Sequence, residues 1–194
     1  MALGGTIRGK ATTLRLPVEA DLDAYNGWMA DVRLRRAHRV WYEPAMPATW
    51  KERFKEIAKE KQSILWSIDR DAKLVGFTFG HLWPMGNVFD VIHFVIEPDE
   101  WGKGLGFDAA LALHRYLFDY LDLRLATAEF RADNAAALKI VTKLGYTEFA
   151  HGHDVDYRDG AYVDDLRLRI DKETWQERWS AEREYPPLAA DATR

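Results

Sequence analysis

The feature that most restricts the fold of this 194-residue chain is a glycine-rich turn between a strand pattern and a helix pattern. Residues 91–96 are apolar and rich in β-branched side chains, residues 101–106 read WGKGLG, and residues 107–121 are amphipathic with a helical period. A helix start leaves its first amide N–H groups unpaired and carries the positive end of the helix dipole. Because glycines let an anion approach those groups closely, we expect this turn to hold a pyrophosphate.

Composition limits the class of protein. With 47% hydrophobic residues the chain can bury one core, so we expect one domain over 1–180 and a flexible tail over 181–194. The absence of cysteine excludes disulfides, thiolate zinc sites and a cysteine nucleophile. A net charge of -4 with mixed signs argues against nucleic acid as the main partner. Without an apolar leader or a bilayer-length apolar run, a cytoplasmic protein with no membrane partner is the default.

The first half of the chain predicts helices followed by strands. Asp21 is an N-cap candidate for a first helix, the basic and aromatic stretch 31–47 reads as an irregular surface segment, and Thr49 is expected to cap a helix over 50–61. Three β-rich runs with short connections predict antiparallel neighbours. The runs cover 63–70, 73–83 and 87–96. A separate, short first strand is predicted over 11–16.

The second half predicts a parallel strand pair. The helix over 107–121 connects the strand ending at residue 96 to a strand over 123–131, so those two strands should be parallel with a right-handed crossover. Asp133 or Asn134 is expected to start the next helix, and Gly145 to end it in a left-handed conformation. The remaining predicted segments are a strand over 146–151, a mobile loop over 152–160, a strand over 162–170 and a short helix.

The glycine turn alone is weak evidence for a ligand. It matches neither the Walker P-loop nor the dinucleotide G-x-G-x-x-G pattern, and any tight strand-to-helix turn tolerates glycine. The order of elements around it is more specific. A strand ending in IEP is followed by the turn, a helix, a parallel strand and an Asn-opened helix that ends in KLGY.

On these residues the chain resembles the GNAT superfamily of N-acetyltransferases, and within it the branch of ribosomal-protein N-terminal acetyltransferases. The resemblance covers roughly residues 10 to 172 and rests on IEPDEWGKGLGFDAAL and NAAALKIVTKLGY. Gly104 and Gly106 match the acyl-CoA signature, whereas Trp101 occupies its Arg or Gln place, as in the ribosomal-type branch. The resemblance implies an α/β (α+β) single-domain fold. Its sheet would be mixed and mostly antiparallel, with a splayed central parallel pair and helices on both faces.

The resemblance also implies acetyl-CoA as co-substrate and no metal. Backbone N–H groups of the turn would hold the pyrophosphate, with Lys103 facing solvent or near the nucleotide phosphates. Beyond Val95 and Ala128 the parallel strands would separate, and the pantetheine arm would lie between them against main-chain groups and the Asn134 side chain. The predicted cofactor-binding residues are Val95, Ile96, Trp101, Gly102, Lys103, Gly104, Leu105, Gly106, Phe107 and Asn134.

Acyl transfer to an amine requires a group that accepts a proton, because amines are mostly protonated at neutral pH. Asp90 lies where many GNAT enzymes carry a glutamate acting through water, and is the first candidate for the base; a solvated hairpin-end carboxylate is the equal alternative. His93 and Glu129 are the other candidates, although a half-buried, hydrogen-bonded role suits His93 better. Family positions for a proton-donating Tyr or Ser hold Val141 and Ala137.

The acceptor is expected to be a peptide α-amine or a small amine entering between the first two helices and the loop 152–160. The loop offers Asp154, Asp156 and Asp159 as contacts for a cationic amine, although solvated surface charge explains these residues better. The acceptor pocket would be lined by Trp41, Tyr42 and Trp83, unless these residues close the core. The departing thiolate could take its proton from Tyr157 or Tyr162, in place of the absent family Tyr or Ser. The sequence leaves open whether the protein forms a homodimer. It also leaves open two other functions: an acyl-CoA-binding module with little turnover, and a generic α/β domain.

Overall fold

The computed structural model describes residues 3–38 and 46–180. Within them the chain forms eight strands: β1 (Ile7–Arg8), β2 (Thr13–Arg15), β3 (Ser63–Arg70), β4 (Lys73–Trp83), β5 (Val88–Ile96), β6 (Leu125–Arg131), β7 (Thr147–Arg158) and β8 (Ala161–Asp171). They make one sheet in the order β1-β2-β3-β4-β5-β6-β8-β7. Its strands pair antiparallel except β5 and β6, which are parallel. The predicted fold class is thereby confirmed.

Helices cover both faces of this sheet. They are α1 (Asp21–Ala30), α2 (Val32–Ala37), α3 (Pro47–Ile57), α4 (Leu105–Arg115), α5 (Ala135–Leu144) and α6 (Lys172–Trp179). The chain between β5 and α4 includes a 3-10 turn over Pro98–Glu100, and α4 continues into a π-helical turn over Tyr116–Tyr120. No helix among the described residues is long and apolar enough to span a membrane.

The hydrophobic core has two parts, one on each face of the sheet. On the larger side α4, α5 and α6 pack against the sheet, and Trp66, Phe118 and Trp175 are fully enclosed there. On the other side α1 and α3 pack against β3, β4 and the end of β5, with Tyr25 and Phe77 at the centre. The Tyr25 hydroxyl bonds Ser67 Oγ at 2.5 Å, so this second core encloses a satisfied polar pair.

The strand predictions in the middle of the chain are accurate. Strands β3 and β4 have the predicted limits, because their β-rich runs are separated only by the turn Asp71–Ala72, in which both residues have positive φ. Helix α5 is capped by the Asn134 side chain, which accepts a hydrogen bond from the Ala137 N–H, and it ends at Gly145 with φ 110°. These features confirm the predicted Asn start and glycine stop.

Three predictions for helical segments need correction. The stretch 31–47 contains the helix α2, whose N-cap Asp31 accepts a hydrogen bond from the Arg33 N–H. Helix α3 begins at Pro47, because proline suits the first helical turn, and it ends at Ile57, before the predicted limit. Helix α4 begins at Leu105, inside the glycine turn.

The predicted mobile loop over 152–160 is wrong. Strand β7 runs through it to Arg158 and returns through the turn at Asp159 and Gly160 into β8. A bulge between Gly152 and Asp156 interrupts the pairing, and Asp154 there has φ 54°. The segment is polar because both faces of this hairpin meet solvent, which conceals the strand pattern. The predicted tail over 181–194 lies outside the described residues.

Candidate functional site

The glycine turn leads directly into the first turn of α4. Gly102 and Gly104 have φ 79° and 80°, a left-handed conformation that favours glycine, and Gly104 is the N-cap of α4. Among the described residues no side chain caps this helix end. A Cβ atom added at either glycine would meet nothing within 4 Å, so the space above the turn is open. The first amide groups of α4 can therefore receive an anion, as the sequence predicts.

Side chains on both sides of the turn hold it in place. Trp101 Nε1 donates a hydrogen bond to the Ile96 carbonyl at 2.7 Å, so the indole fastens the turn to the end of β5. Lys103 Nζ lies 2.9 Å from Glu100 Oε2 and is half-exposed. The Lys103 ammonium thus sits at the surface beside the open side of the turn.

The Asp108 carboxylate, in the first turn of α4, is fully occupied by the amino-terminal segment. It accepts hydrogen bonds from the backbone N–H groups of Lys10, Ala11 and Thr12 at 2.9, 3.0 and 2.9 Å, and from the Thr12 hydroxyl at 2.7 Å. Four donors to one carboxylate compensate its charge. The turn between β1 and β2 is thereby tied to the start of α4.

The parallel strands separate earlier on β5 than predicted. Pairing runs from Val88 with Leu125 to Val91 with Ala128 and stops there. The cause is a bulge, since β4 pairs with Val91 and then with His93, leaving Ile92 without a partner on β4. On β6 the separation begins after Ala128, as expected.

Peptide groups at the end of β5 alternate between β4 and this gap. The Glu97 N–H donates a hydrogen bond to the carbonyl of Val75 on β4. Because alternate residues of a strand direct their N–H and C=O groups to the same side, those of Val95, two residues earlier, also face β4. Those of Ile96 face away from β4 into the gap. The Ile96 carbonyl already accepts from Trp101, which leaves the Ile96 N–H directed at the gap.

Asn134 lies beyond the end of β6 and uses both ends of its amide. Its Oδ1 accepts from the Ala137 N–H at 3.1 Å, and its Nδ2 donates to the Ala37 carbonyl at 2.9 Å. The neighbouring Arg36 carbonyl accepts from Arg131 Nη2 at 2.5 Å and also from the Arg158 guanidinium. The carboxyl end of α2 is therefore held by side chains of β6, β7 and the α5 cap.

Asp90 lies on β5 within the parallel pair. The Thr127 hydroxyl of β6 donates to Asp90 Oδ1 at 2.8 Å. Burial raises the pKa of the Asp90 carboxyl above its ordinary value; the Thr127 hydrogen bond opposes this, and the charge of Glu129 adds to it. A carboxylate with a raised pKa is a better proton acceptor than one in water.

His93 and Glu129 have different surroundings. His93 Nδ1 is 3.2 Å from His38 Nε2, and burial lowers the pKa of His93 to about 3. Such an imidazole is neutral at pH 7 but is a weak base. Glu129 accepts from Arg167 Nε at 2.8 Å. Glu129 and Arg167 also border a cleft of about 200 Å³ on the β6–β8–β7 part of the sheet.

The side chains predicted around the acceptor are already paired or exposed. Asp156 lies 3.4 Å from Arg131 Nη1, and Asp159 lies 2.6 Å from Arg36 Nη2, so both carboxylates have arginine partners. Tyr157 and Tyr162 form an exposed edge-to-face pair 5.1 Å apart. Trp83 is 56% exposed and so does not close the core. Trp41 and Tyr42 lie outside the described residues.

Sequence reasoning missed the partners of the predicted residues. Thr127 is opposite Asp90 only because of the parallel register, and His38 meets His93 only through the position of α2. The period-2 alternation of β6 is a signal that could have placed Thr127 and Glu129 on one face. No local signal marks the long-range contacts of His38, Arg131 and Arg158.

Comparison with known proteins adds a family and a set of similar folds. The profile of the acetyltransferase (GNAT) domain family matches residues 12–147. A provisionally assigned acetyltransferase of known structure superposes with a TM-score of 0.74 at 18% identity, covering 98% of this chain and 100% of that one. Spermidine N-acetyltransferase from Vibrio cholerae, solved with CoA and spermine, also gives a TM-score of 0.74 at 18% identity, covering 85% of this chain and 98% of that one.

Proposed function

Since the chain belongs to the GNAT acetyltransferase family, we propose that it transfers the acetyl group of acetyl-CoA to a primary amine, with Asp90 as the proton acceptor. The observation that carries the proposal is the open, glycine-lined start of α4 at the end of β5, beyond the point where β5 and β6 stop pairing. A phosphate-binding helix start next to a gap between parallel strands suits a ligand with a pyrophosphate and a long amide-containing arm.

The donor would be held mainly by backbone groups. The N–H groups of Gly102 to Phe107 face the pyrophosphate, with Lys103 at the edge of the turn. The pantetheine arm enters the gap beside the Ile96 N–H. Val95 contributes indirectly, because its pairing with β4 holds the end of β5 in place. This N–H would also polarise the thioester carbonyl, an oxyanion-type contribution that needs no side chain. For Asn134 to reach the arm as well, its bond to the Ala37 carbonyl must open.

The reaction is a direct attack in a ternary complex. The amine nitrogen forms a bond to the acetyl carbon, the carbon–sulfur bond breaks, and the proton lost by the nitrogen passes through water to Asp90. The thiolate leaves with the bonding pair and takes a proton from solvent, since a thiol pKa near ~8.5 makes it a tolerable leaving group. His93, with its pKa near 3, and Glu129, bound to Arg167, are weaker candidates for the base.

A small amine is favoured as the acceptor over a peptide α-amine. Known folds similar to this chain include a spermidine N-acetyltransferase solved with spermine, which supports a small cationic amine as the substrate. The carboxylates of Asp90 and Glu129 lie on the same face of adjoining strands, where they would attract an ammonium group. The ribosomal-type branch suggested by Trp101 remains a prediction.

A second function is supported by one observation. Val141 is buried and Ala137 has no hydroxyl, so the two family positions for a proton donor hold none. An acyl-CoA-binding module with little turnover would have this property.

The two functions are separated by incubating the purified protein with acetyl-CoA and a panel of small amines and N-terminal peptides while free thiol is measured. Amine-dependent thiol release that falls sharply in Asp90→Asn is expected of the enzyme. Tight CoA binding without thiol release from any amine would identify the module. No thermal shift with CoA would oppose both.

A further inference from the structure

The β7–β8 hairpin brings two imidazoles and a carboxylate together on one side. His151 and His153 are two residues apart on β7, and Asp164 lies on β8. One donor atom from each side chain lies within 4.8 Å of the other two. No metal was expected from the sequence, and a loop over 152–160 would not have brought these side chains together.

The distances within the cluster are close to those of a metal site. His151 Nε2 is 2.8 Å and His153 Nδ1 is 3.3 Å from the same oxygen, Asp164 Oδ2. Bonds of about 2.0–2.1 Å in a tetrahedral site place neighbouring ligand atoms about 3.3 Å apart. The two distances to Asp164 Oδ2 thus lie within about 0.5 Å of tetrahedral spacing, and the two histidine nitrogens are no more than 4.8 Å apart.

Hydrogen bonding around His151 also calls for a positive charge. His151 Nδ1 lies 2.9 Å from Glu148 Oε1, and its Nε2 faces Asp164, so both ring nitrogens point at carboxylate oxygens. A neutral imidazole has only one N–H, and the other nitrogen would present a lone pair to a second acceptor. A second ring proton would let both nitrogens donate; with Nδ1–H donated to Glu148, a metal cation between Nε2 and Asp164 can take the place of that proton.

Groups outside the three donors fix their orientation. Glu148 holds the His151 ring in the tautomer that binds metal through Nε2, a usual arrangement of metal-binding histidines. The Asp154 N–H donates to Asp164 Oδ1 at 2.9 Å, which directs Oδ2 at the histidines. The Asp164 carbonyl accepts from the Ala132 N–H at 2.8 Å, so its backbone is anchored to the end of β6.

We propose that His151, His153 and Asp164 bind a divalent ion of the Zn²⁺ class, with Glu148 as the positioning residue for His151. Two imidazole nitrogens and one carboxylate oxygen suit Zn²⁺, Co²⁺ or Ni²⁺ and do not suit the oxygen-preferring Mg²⁺ or Ca²⁺. The fourth position is open to water, because His153 is 77% exposed and the other two side chains are one-third exposed.

The ion would join the two strands across the bulge of β7. His151 also borders the cleft with Glu129 and Arg167, so a bound ion would fix one wall of that cleft. This role does not depend on acetyl transfer.

The test uses full-length protein freed of any affinity tag and of metal. Titration with Co²⁺ is followed by its visible absorption, and titration with Zn²⁺ by calorimetry. One site per chain is expected. His153→Ala and Asp164→Asn should each weaken binding at least tenfold, and Glu148→Gln roughly 10-fold to 100-fold, the range for loss of an outer carboxylate. His81→Asn is the matched control, because His81 bonds Ser63 on β3 and should leave metal affinity unchanged.

A second measurement distinguishes the loss of metal binding from misfolding of a variant. Zn²⁺ should raise the unfolding temperature of the wild-type protein and of His81→Asn, but not that of His153→Ala. The metal-free variants should keep the wild-type circular dichroism. The proposal would be overturned if the wild-type protein lacked a one-to-one site. It would also be overturned if His153→Ala and Asp164→Asn bound the metal as tightly as the wild-type protein.

Discussion

The Thr127 hydroxyl donates a 2.8 Å hydrogen bond to the Asp90 carboxylate across the parallel pair β5–β6. This bond lowers the pKa of Asp90, against the larger effect of burial, which raises it. The two strands therefore set the proton affinity of the proposed base jointly, immediately before they separate.

Replacing Thr127 tests this relationship. Thr127→Val removes the donor, so the pKa of Asp90 should rise further and the acidic limb of the pH profile of kcat/KM should move to higher pH. Thr127→Ser keeps a hydroxyl and should retain the wild-type profile. An unchanged acidic limb in Thr127→Val would mean that Asp90 is not the group titrating there.

Replacing Asp90 should separate activity from stability. Asp90→Asn removes the proton acceptor, and we expect kcat to fall roughly 100-fold to 10,000-fold with CoA affinity unchanged. Because the folded-state pKa of Asp90 is raised, its burial reduces stability as pH rises above the ordinary value of 3.8. The variant should therefore unfold at a higher temperature than wild type at pH 7, provided that the amide keeps the Thr127 bond. Full activity in Asp90→Asn would reject the assignment.

The glycine turn offers a matched pair of substitutions. Gly104→Ala places a Cβ at φ 80° at the start of α4, which should cost about 1–2 kcal/mol of unfolding free energy and raise KM for acetyl-CoA. Gly160→Ala introduces a similar strain at φ 87° in the β7–β8 turn, also with nothing within 4 Å. It should cost a similar unfolding free energy while leaving KM for acetyl-CoA at its wild-type value. Denaturant unfolding and initial rates measure both quantities.

The buried pair of His114 and Tyr146 predicts a pH dependence of stability. Burial lowers the pKa of His114 to about 4, and its Nε2 lies 2.5 Å from the Tyr146 hydroxyl. The unfolded chain therefore binds a proton between pH 6.5 and about 4 that the folded chain does not, and stability should fall as pH falls through this window. Denaturant unfolding at pH 7 and pH 5 measures the change. His114→Gln should be less stable than wild type at pH 7 but lose less stability on acidification.

Asn134→Ser separates two uses of the Asn134 amide. The serine hydroxyl can still accept from the Ala137 N–H and cap α5, so stability should change by only about 0.5 kcal/mol. The bond to the Ala37 carbonyl is lost, and amide exchange at the end of α2 should become faster. A raised KM for acetyl-CoA in the same variant would support contact between Asn134 and the pantetheine arm.

The central fold could be predicted because its signals are local. The limits of β3 and β4 follow from β-branched runs and a two-residue turn, and the limits of α5 from Asn134 and Gly145. The β7–β8 hairpin was missed because a polar strand exposed on both faces has no hydrophobic period. Helix α2 was missed because the basic stretch VRLRRA has only Leu34 as a buried anchor.

The site was predictable only in part, for a related reason. The glycine turn could be located from the order of elements, whereas Asp90 was chosen as the candidate base from the resemblance to the GNAT superfamily. The bonds from Thr127 to Asp90 and from Asn134 to Ala37 depend on strand register and on contacts far apart in the chain. The early separation of β5 from β6 depends on the bulge at Ile92, which has no distinctive residue type.

The occupied carboxylate of Asp108 has a consequence for ligand affinity. A bare negative charge in the first turn of α4, where the pyrophosphate is proposed to bind, would repel the ligand, but Lys10, Ala11 and Thr12 surround that charge with four hydrogen-bond donors. The amino-terminal segment thus acts as an electrostatic shield for a pocket that it does not line. Its removal would weaken anion binding from outside the pocket, and would do so most at low ionic strength.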